Sequence, residues 1–180
     1  MYSIQIANIQ DQVEIDESLL QQIAEKTLAA EQVAAAEISI AVVDNARIRV
    51  LNCRHLGHDY DTDVLSFLLD CEESSPPQNS APPQNSAPVD PGEESPRGRG
   101  KRIGGEVILS AEMAVATAED FDWSPHDEIV LYLVHGLLHL VGYDDCSDTQ
   151  RRTMRFRERS LLSTWDLVPQ YADEAVGDES

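Results

Sequence analysis

His135 and His139 stand four residues apart in the run His135-Gly136-Leu137-Leu138-His139-Leu140-Val141-Gly142-Tyr143-Asp144-Asp145. On a helix, that spacing puts both imidazoles on one face, one turn above the other. Two ring nitrogens so placed can reach one ion at about 2.0–2.1 Å, the usual Zn–N distance. Gly142 is free to adopt positive φ, so the chain can reverse there and carry Asp145 back over the same face. Two imidazoles and a carboxylate would hold one Zn²⁺ and leave a fourth position for water, the arrangement of a hydrolytic centre. Asp144 and Cys146 compete for the third place, because a thiolate is also a good zinc ligand. Asp145 is the expected ligand, and Asp148 reads as a capping or dipole residue of the next helix. The bland reading makes both histidines core residues, but two imidazoles buried in an apolar face need compensating partners.

Other chemistries lack their residues. A zinc peptidase of the H-E-x-x-H type keeps a glutamate beside its first ligand, and here that position is Gly136. No G-x-S-x-G run exists, and Gly98-x-Gly100 and Gly104-Gly105 lack the helix start that follows a phosphate-binding loop. No general base is assigned.

The elements that must position these side chains follow from periodicity. Ser124-Pro125 followed by Asp127 and Glu128 is a helix start, with a capping hydroxyl, proline at the first helical position and acids in the first turn. The helix over 125–141 is apolar around most of its circumference and should be central. Gly142 sits where a C-terminal glycine is wanted. A last helix should start near Ser147 and carry an arginine-rich stripe, and another should run from Ser110 to Phe121. Strands are expected over 3–9, 37–44, 63–69 and 106–109, the latter two apolar enough for a sheet covered on both faces. A helix is expected over 16–36, capped by Ser18 with Gln21, and a short one after Asp44-Asn45. The sum is an α+β fold: an α/β/α sandwich with a small mixed sheet and a central helix carrying the metal ligands.

The 180 residues suit one domain. It should span 1–165, interrupted by a low-complexity, disordered insert at 72–102 that contains Pro-Pro-Gln-Asn-Ser-Ala twice, and followed by an acidic tail at 166–180. Three cysteines without C-x-x-C spacing describe no disulfide framework. No run of eighteen apolar residues or secretory signal is present, so the expected location is cytoplasmic, away from membranes. The net charge of −20 disfavours a polyanionic partner only on average. Bases cluster at Arg47, Arg49 and Arg54, at 97–102, and at Arg151, Arg152, Arg155, Arg157 and Arg159. A phosphate backbone responds to such local fields, although solvated helix faces explain each cluster equally well.

The histidine run resembles the H-G-x-L-H-L-x-G-Y-D-H signature of the YbeY family of bacterial metal-dependent endoribonucleases. Leu51-Asn52 with Asp59-Tyr60-Asp61-Thr62-Asp63-Val64-Leu65-Ser66-Phe67, and Gly105-Glu106-Val107-Ile108-Leu109-Ser110, resemble two further family blocks. His58, Glu106 and Asp144 are candidates for the general base only because they lie in or beside these blocks. The resemblance implies zinc-dependent hydrolysis of single-stranded RNA in 16S rRNA 3′-end maturation and ribosome quality control. Ribosomal RNA and the small subunit are the implied partners. The sequence departs from that pattern at three places: Asp145 replaces the usual third histidine, Leu56 replaces an arginine thought to contact RNA, and Leu68 replaces a proline. Arg49 or Arg54 could substitute for the arginine missing at Leu56. The alternatives are a zinc peptidase or amidohydrolase, and a non-catalytic, zinc-stabilised ribosome assembly factor with Cys146 closing the site. Oligomeric state is not encoded in any of these features.

Overall fold

The computed structural model describes residues 1–73, 96–121 and 123–171. Its elements run β1 (Tyr2–Asn8), α1 (Glu17–Ala30), β2 (Ala35–Val43), α2 (Asn45–Leu56), β3 (Val64–Glu73), β4 (Lys101–Ser110), α3 (Ala111–Phe121), α4 (Pro125–Val141) and α5 (Asp148–Leu162). The four strands form one sheet in the order β1-β2-β4-β3. The β1/β2 and β2/β4 pairs are parallel and β3/β4 is antiparallel, so the sheet is mixed as expected.

Alternation along the strands explains the layers. Ile38, Ile40 and Val42 of β2 and Ile103, Val107 and Leu109 of β4 point to one face and are buried with α1 and α4. Helix α4 lies at the centre of that layer. Twelve of its seventeen residues are buried, which its nearly continuous apolar sequence requires. The opposite face is covered only in part: Ile48 and Leu51 of α2 pack on Val43, Leu65, Ile108 and Phe67. Ser3, Gln5, Glu37, Ser39 and Glu106 remain exposed there. The expected two-sided cover is therefore corrected. Leu68 and Leu69, at a register irregularity on the β3 edge, are likewise half or more exposed despite their apolar type.

Two further boundaries differ from the sequence reading. The first helix ends at Ala30, and Ala35–Ala36 enter β2 rather than extending it. Alanine has the highest helix propensity, but propensity is a weak determinant, and the parallel register of Tyr2 with Ala36 overrides it. Asp16, not Ser18, caps α1, its Oδ1 accepting from Leu19 N at 3.0 Å. The hairpin ladder also continues past the expected start and end of the insert, pairing Glu72 with Arg102 and Glu73 with Lys101. Residues 74–95, the middle of that insert, and 172–180 of the acidic tail lie outside the described residues.

Close helix-to-sheet packing fixes where the histidines point. A Cβ on Gly136 would meet Val107 Cγ1 at 2.6 Å and Ser66 Oγ at 2.9 Å. A side chain there would push α4 off the sheet, so the residue after the first histidine has to be glycine.

Candidate metal centre

Helix α4 begins on Ser124, whose hydroxyl accepts from Asp127 N at 3.1 Å, and ends on Gly142, with φ of 106°. Two cations reinforce that end. Lys101 Nζ donates to Val141 O at 2.9 Å, and Arg97 Nη1 donates to Gly142 O at 3.1 Å. Both satisfy carbonyls left open by the helix and oppose the negative pole of its dipole. The basic cluster at 97–102 therefore buttresses the histidine helix, and Arg99 Nε bonds Gln32 Oε1 at 2.8 Å.

The reversal at Gly142 brings Asp145 over the face that carries both histidines. His135 Nε2 lies 3.0 Å from His139 Nε2 and 3.9 Å from Asp145 Oδ2, and one ligand atom from each residue falls within 4.8 Å of the others. The remaining ring nitrogens are occupied. His135 Nδ1 faces Glu158 Oε1 at 2.7 Å, and His139 Nδ1 faces the Tyr143 carbonyl at 3.1 Å. With those protons donated outward, both Nε2 lone pairs converge on one point.

The charges around this point favour a cation. Burial by itself would lower the His135 pKa, but the hydrogen bond it donates to Glu158 and the charges of Glu158, Asp63 and Asp145 carry it above its ordinary value. His139 is lowered by burial and by the neighbouring His135 charge. A field that attracts a proton to one imidazole also suits a divalent ion held by both. The donor set fits a metal of intermediate softness.

Cys146 points elsewhere. Its thiol bonds Asp144 Oδ1 at 3.2 Å, and that hydrogen bond, with the Asp144 charge, raises its pKa. Asp144, Asp145 and Cys146 form a second group on the loop, with both acids half-buried and the thiol exposed. Among the base candidates, Glu106 lies on the opposite sheet face from Val107 and hence from α4, while His58 Nδ1 pairs with the Tyr60 hydroxyl at 3.1 Å. Asp144 stands next to the cluster.

The sequence reading missed Asp63, Glu128 and Glu158 as site residues. All three line a cavity of about 450 Å³ with His135 and Asp145. Asn52 explains the Leu51-Asn52 motif: its amide donates to Tyr60 O at 2.9 Å and anchors the loop that delivers Asp63. Glu128 lies seven residues before His135, a helical spacing that could have placed it on the same face. Glu158 is a sequence-distant partner on α5, and only folding reveals it.

The arginine clusters divide. Arg151 and Arg155 line the cavity, with Arg155 also 4.4 Å from the centre of the Tyr171 ring. Arg157 turns away and pairs with buried Glu31 at 2.5 Å. The single cationic stripe expected on the last helix is thus corrected. Arg49 is bonded to Asp59 at 2.8 Å, whereas Arg54 is exposed in the last turn of α2 without an ion pair among the described residues.

A mixed sheet backed by a histidine-bearing helix, with acids gathered at the helix mouth, defines an α+β protein with a candidate metal centre. A family model described as endoribonuclease YbeY matches residues 5–166. Endoribonuclease YbeY of Salinibacter ruber is 35% identical over 150 residues, covering 83% of each chain. Endoribonuclease YbeY of Alkaliphilus metalliredigens is 34% identical over 171 residues, covering 92% of this chain and 97% of that one. The solution structure of TM1509 from Thermotoga maritima shares the fold, with a TM-score of 0.50 at 18% identity over 98% of this chain and 96% of that one. The chain belongs to the YbeY endoribonuclease family.

Proposed function

We propose that this protein is a zinc-dependent endoribonuclease that hydrolyses phosphodiesters of single-stranded RNA, in 16S rRNA 3′-end maturation and ribosome quality control. The observation that supports it most is the convergence of two Nε2 atoms 3.0 Å apart beside Asp145, within a chain of this family. His135, His139 and Asp145 would hold one Zn²⁺. A bound zinc ion would supply activation of water and compensation for charge developing on the phosphate. Glu158 and the Tyr143 carbonyl orient the two imidazoles. Arg151 and Arg155 set positive charge at the cavity wall, where an RNA phosphate can be drawn toward the acids and histidines. Asp63 is an acid at that cavity, placed to accept a proton from water.

The catalytic unit is read as residues 1–165, with the insert and tail as appendages. Its setting is the cytoplasm, with the small ribosomal subunit as partner. Among the described residues, no helix is long and apolar enough to cross a membrane. The peptidase alternative has no glutamate at Gly136, where the packing leaves no room for one.

The test is cleavage of matched single- and double-stranded RNA by zinc-loaded protein, chelated protein and His139→Ala. Expected is cleavage of the single strand alone, lost on chelation and in the variant. Zinc bound at one equivalent with no RNA cleavage would favour the assembly-factor reading, and peptide hydrolysis would favour the peptidase.

A further inference from the structure

The cavity beside His135 and Asp145 is larger than one ion requires. Its volume of about 450 Å³ falls in the range of small-molecule sites, about 300–1,000 Å³. Its walls are chemically divided. Met113, Phe121 and Leu131 offer apolar surface, Asp63 and Glu128 offer acceptors, and Arg151 and Arg155 offer cations. A flat ring with a donor-rich edge and an anionic tail matches that division.

The acceptors have capacity left for a ligand. Glu128 is 2% exposed, and its hydrogen-bonding neighbour is Tyr132, which itself bonds Thr117 Oγ1 at 3.1 Å. A carboxyl group can make more contacts than one hydroxyl supplies. Asp63 spends Oδ1 on its own loop, accepting from Val64 N at 2.8 Å and Thr62 Oγ1 at 3.0 Å, and no described residue bonds its Oδ2. Two acids in one wall select against uracil, whose single N–H is flanked by carbonyl oxygens. Guanine presents an imino N–H beside an amino group, donors on adjacent atoms. Adenine and cytosine present an amino group beside an acceptor. The cavity also has room for a purine.

We propose that this cavity is a nucleobase subsite that prefers guanine over uracil. Asp63 and Glu128 read its amino edge, the Met113, Phe121 and Leu131 wall packs its ring, and Arg151 with Arg155 holds an attached phosphate. The inference deepens the RNA-hydrolysis reading and rests on it for its biological role, but base binding is measurable without catalysis.

Titration calorimetry of the full chain with 5′-GMP and 5′-UMP at pH 8, where Glu128 is ionised, tests it. Expected is GMP binding at least tenfold tighter than UMP, with Glu128→Gln or Asp63→Asn reducing that ratio below threefold. Arg151→Ala should weaken both nucleotides together. If Glu128→Gln fails to fold, Asp63→Asn carries the same test. Equal binding of the two nucleotides, or a ratio unchanged in folded acid variants, overturns the proposal. Inorganic phosphate matching GMP in affinity would also overturn it, because the base would then contribute nothing. RNA cleavage is assayed in parallel. Its absence with GMP selectivity intact would remove the hydrolase reading and keep the base site, and the converse would do the opposite.

Discussion

His135 Nδ1 and Glu158 Oε1 lie 2.7 Å apart across the contact between α4 and α5. Glu158 is 1% exposed, and its other oxygen accepts from the Tyr171 hydroxyl at 2.5 Å. The buried carboxylate therefore fixes one imidazole tautomer and is itself fixed by a residue near the end of the described chain. This is the outer-shell geometry that orients a metal-ligating histidine and raises its basicity.

Glu158→Gln keeps the shape of that contact but removes the charge. Zinc affinity should fall by about 10–100-fold, the usual effect of losing such a partner. Competition with a chromophoric chelator measures it. An affinity equal to the parent's would reduce Glu158 to a packing role.

Glu128 predicts a pH dependence of stability. Burial pushes its pKa up from the ordinary carboxylate range to about 7, against a smaller opposing effect of Tyr132. The native state then keeps a proton that the unfolded chain releases near pH 4.5. Stability from this group is present in full below that pH and is lost as pH rises through about 7. The loss is about 3 kcal/mol at about 1.36 kcal/mol per pKa unit. Glu128→Gln should gain on the parent across that window in urea unfolding from pH 4.5 to 8, and a constant difference would show that the carboxyl is ionised in the fold.

Much of this architecture was legible because local signals agreed with tertiary demands. Ser124, Pro125 and Gly142 delimit α4, and its apolar circumference could only be buried at the centre. The Ser147 capping box likewise marks the start of α5. Misreadings arose where neighbours in space outweighed neighbours in sequence. Ala35-Ala36 has helical propensity but is claimed by the sheet, and Leu68-Leu69 is apolar but sits on an edge. In the site, the i,i+4 histidines were visible as a pair. Glu158, twenty-three residues beyond His135, has no pattern linking it to that pair. The arginines of α5 were equally opaque, since similar residue types split between the cavity and Glu31.

That split makes the arginines separable by experiment. Arg157→Ala should destabilise the fold by about 3 kcal/mol, because it removes the guanidinium paired with fully buried Glu31 and leaves that carboxylate the Arg97 N–H and the Tyr143 hydroxyl. The salt dependence of RNA binding should not change. Arg151→Ala with Arg155→Ala should instead make the log–log salt slope shallower by about 1.4, at about 0.7 per phosphate contact on a single strand. Fluorescence anisotropy over a salt series, paired with urea unfolding, reads both quantities. A slope altered by Arg157→Ala alone would reverse the assignment.

The third ligand is where this chain leaves its family's pattern, and the loop after Gly142 makes a definite choice testable. Asp145 Oδ2 lies 3.9 Å from His135 Nε2, a separation one intervening ion can bridge with both ligand bonds near 2 Å. Cys146 is engaged by Asp144, and the pairing keeps its thiol protonated. A thiol must lose its proton to ligate, so that contact opposes coordination. Asp145→Ala should therefore lose zinc and RNA cleavage together, while Cys146→Ser keeps both. Asp145→His should restore binding with altered affinity, since imidazole is the other common donor at such sites. Bound zinc is measured after dialysis at matched free metal for all three variants. Retention of zinc by Asp145→Ala together with its loss in Cys146→Ser would transfer the ligand role to the thiolate, and the Asp144–Cys146 hydrogen bond would then have to break when metal enters.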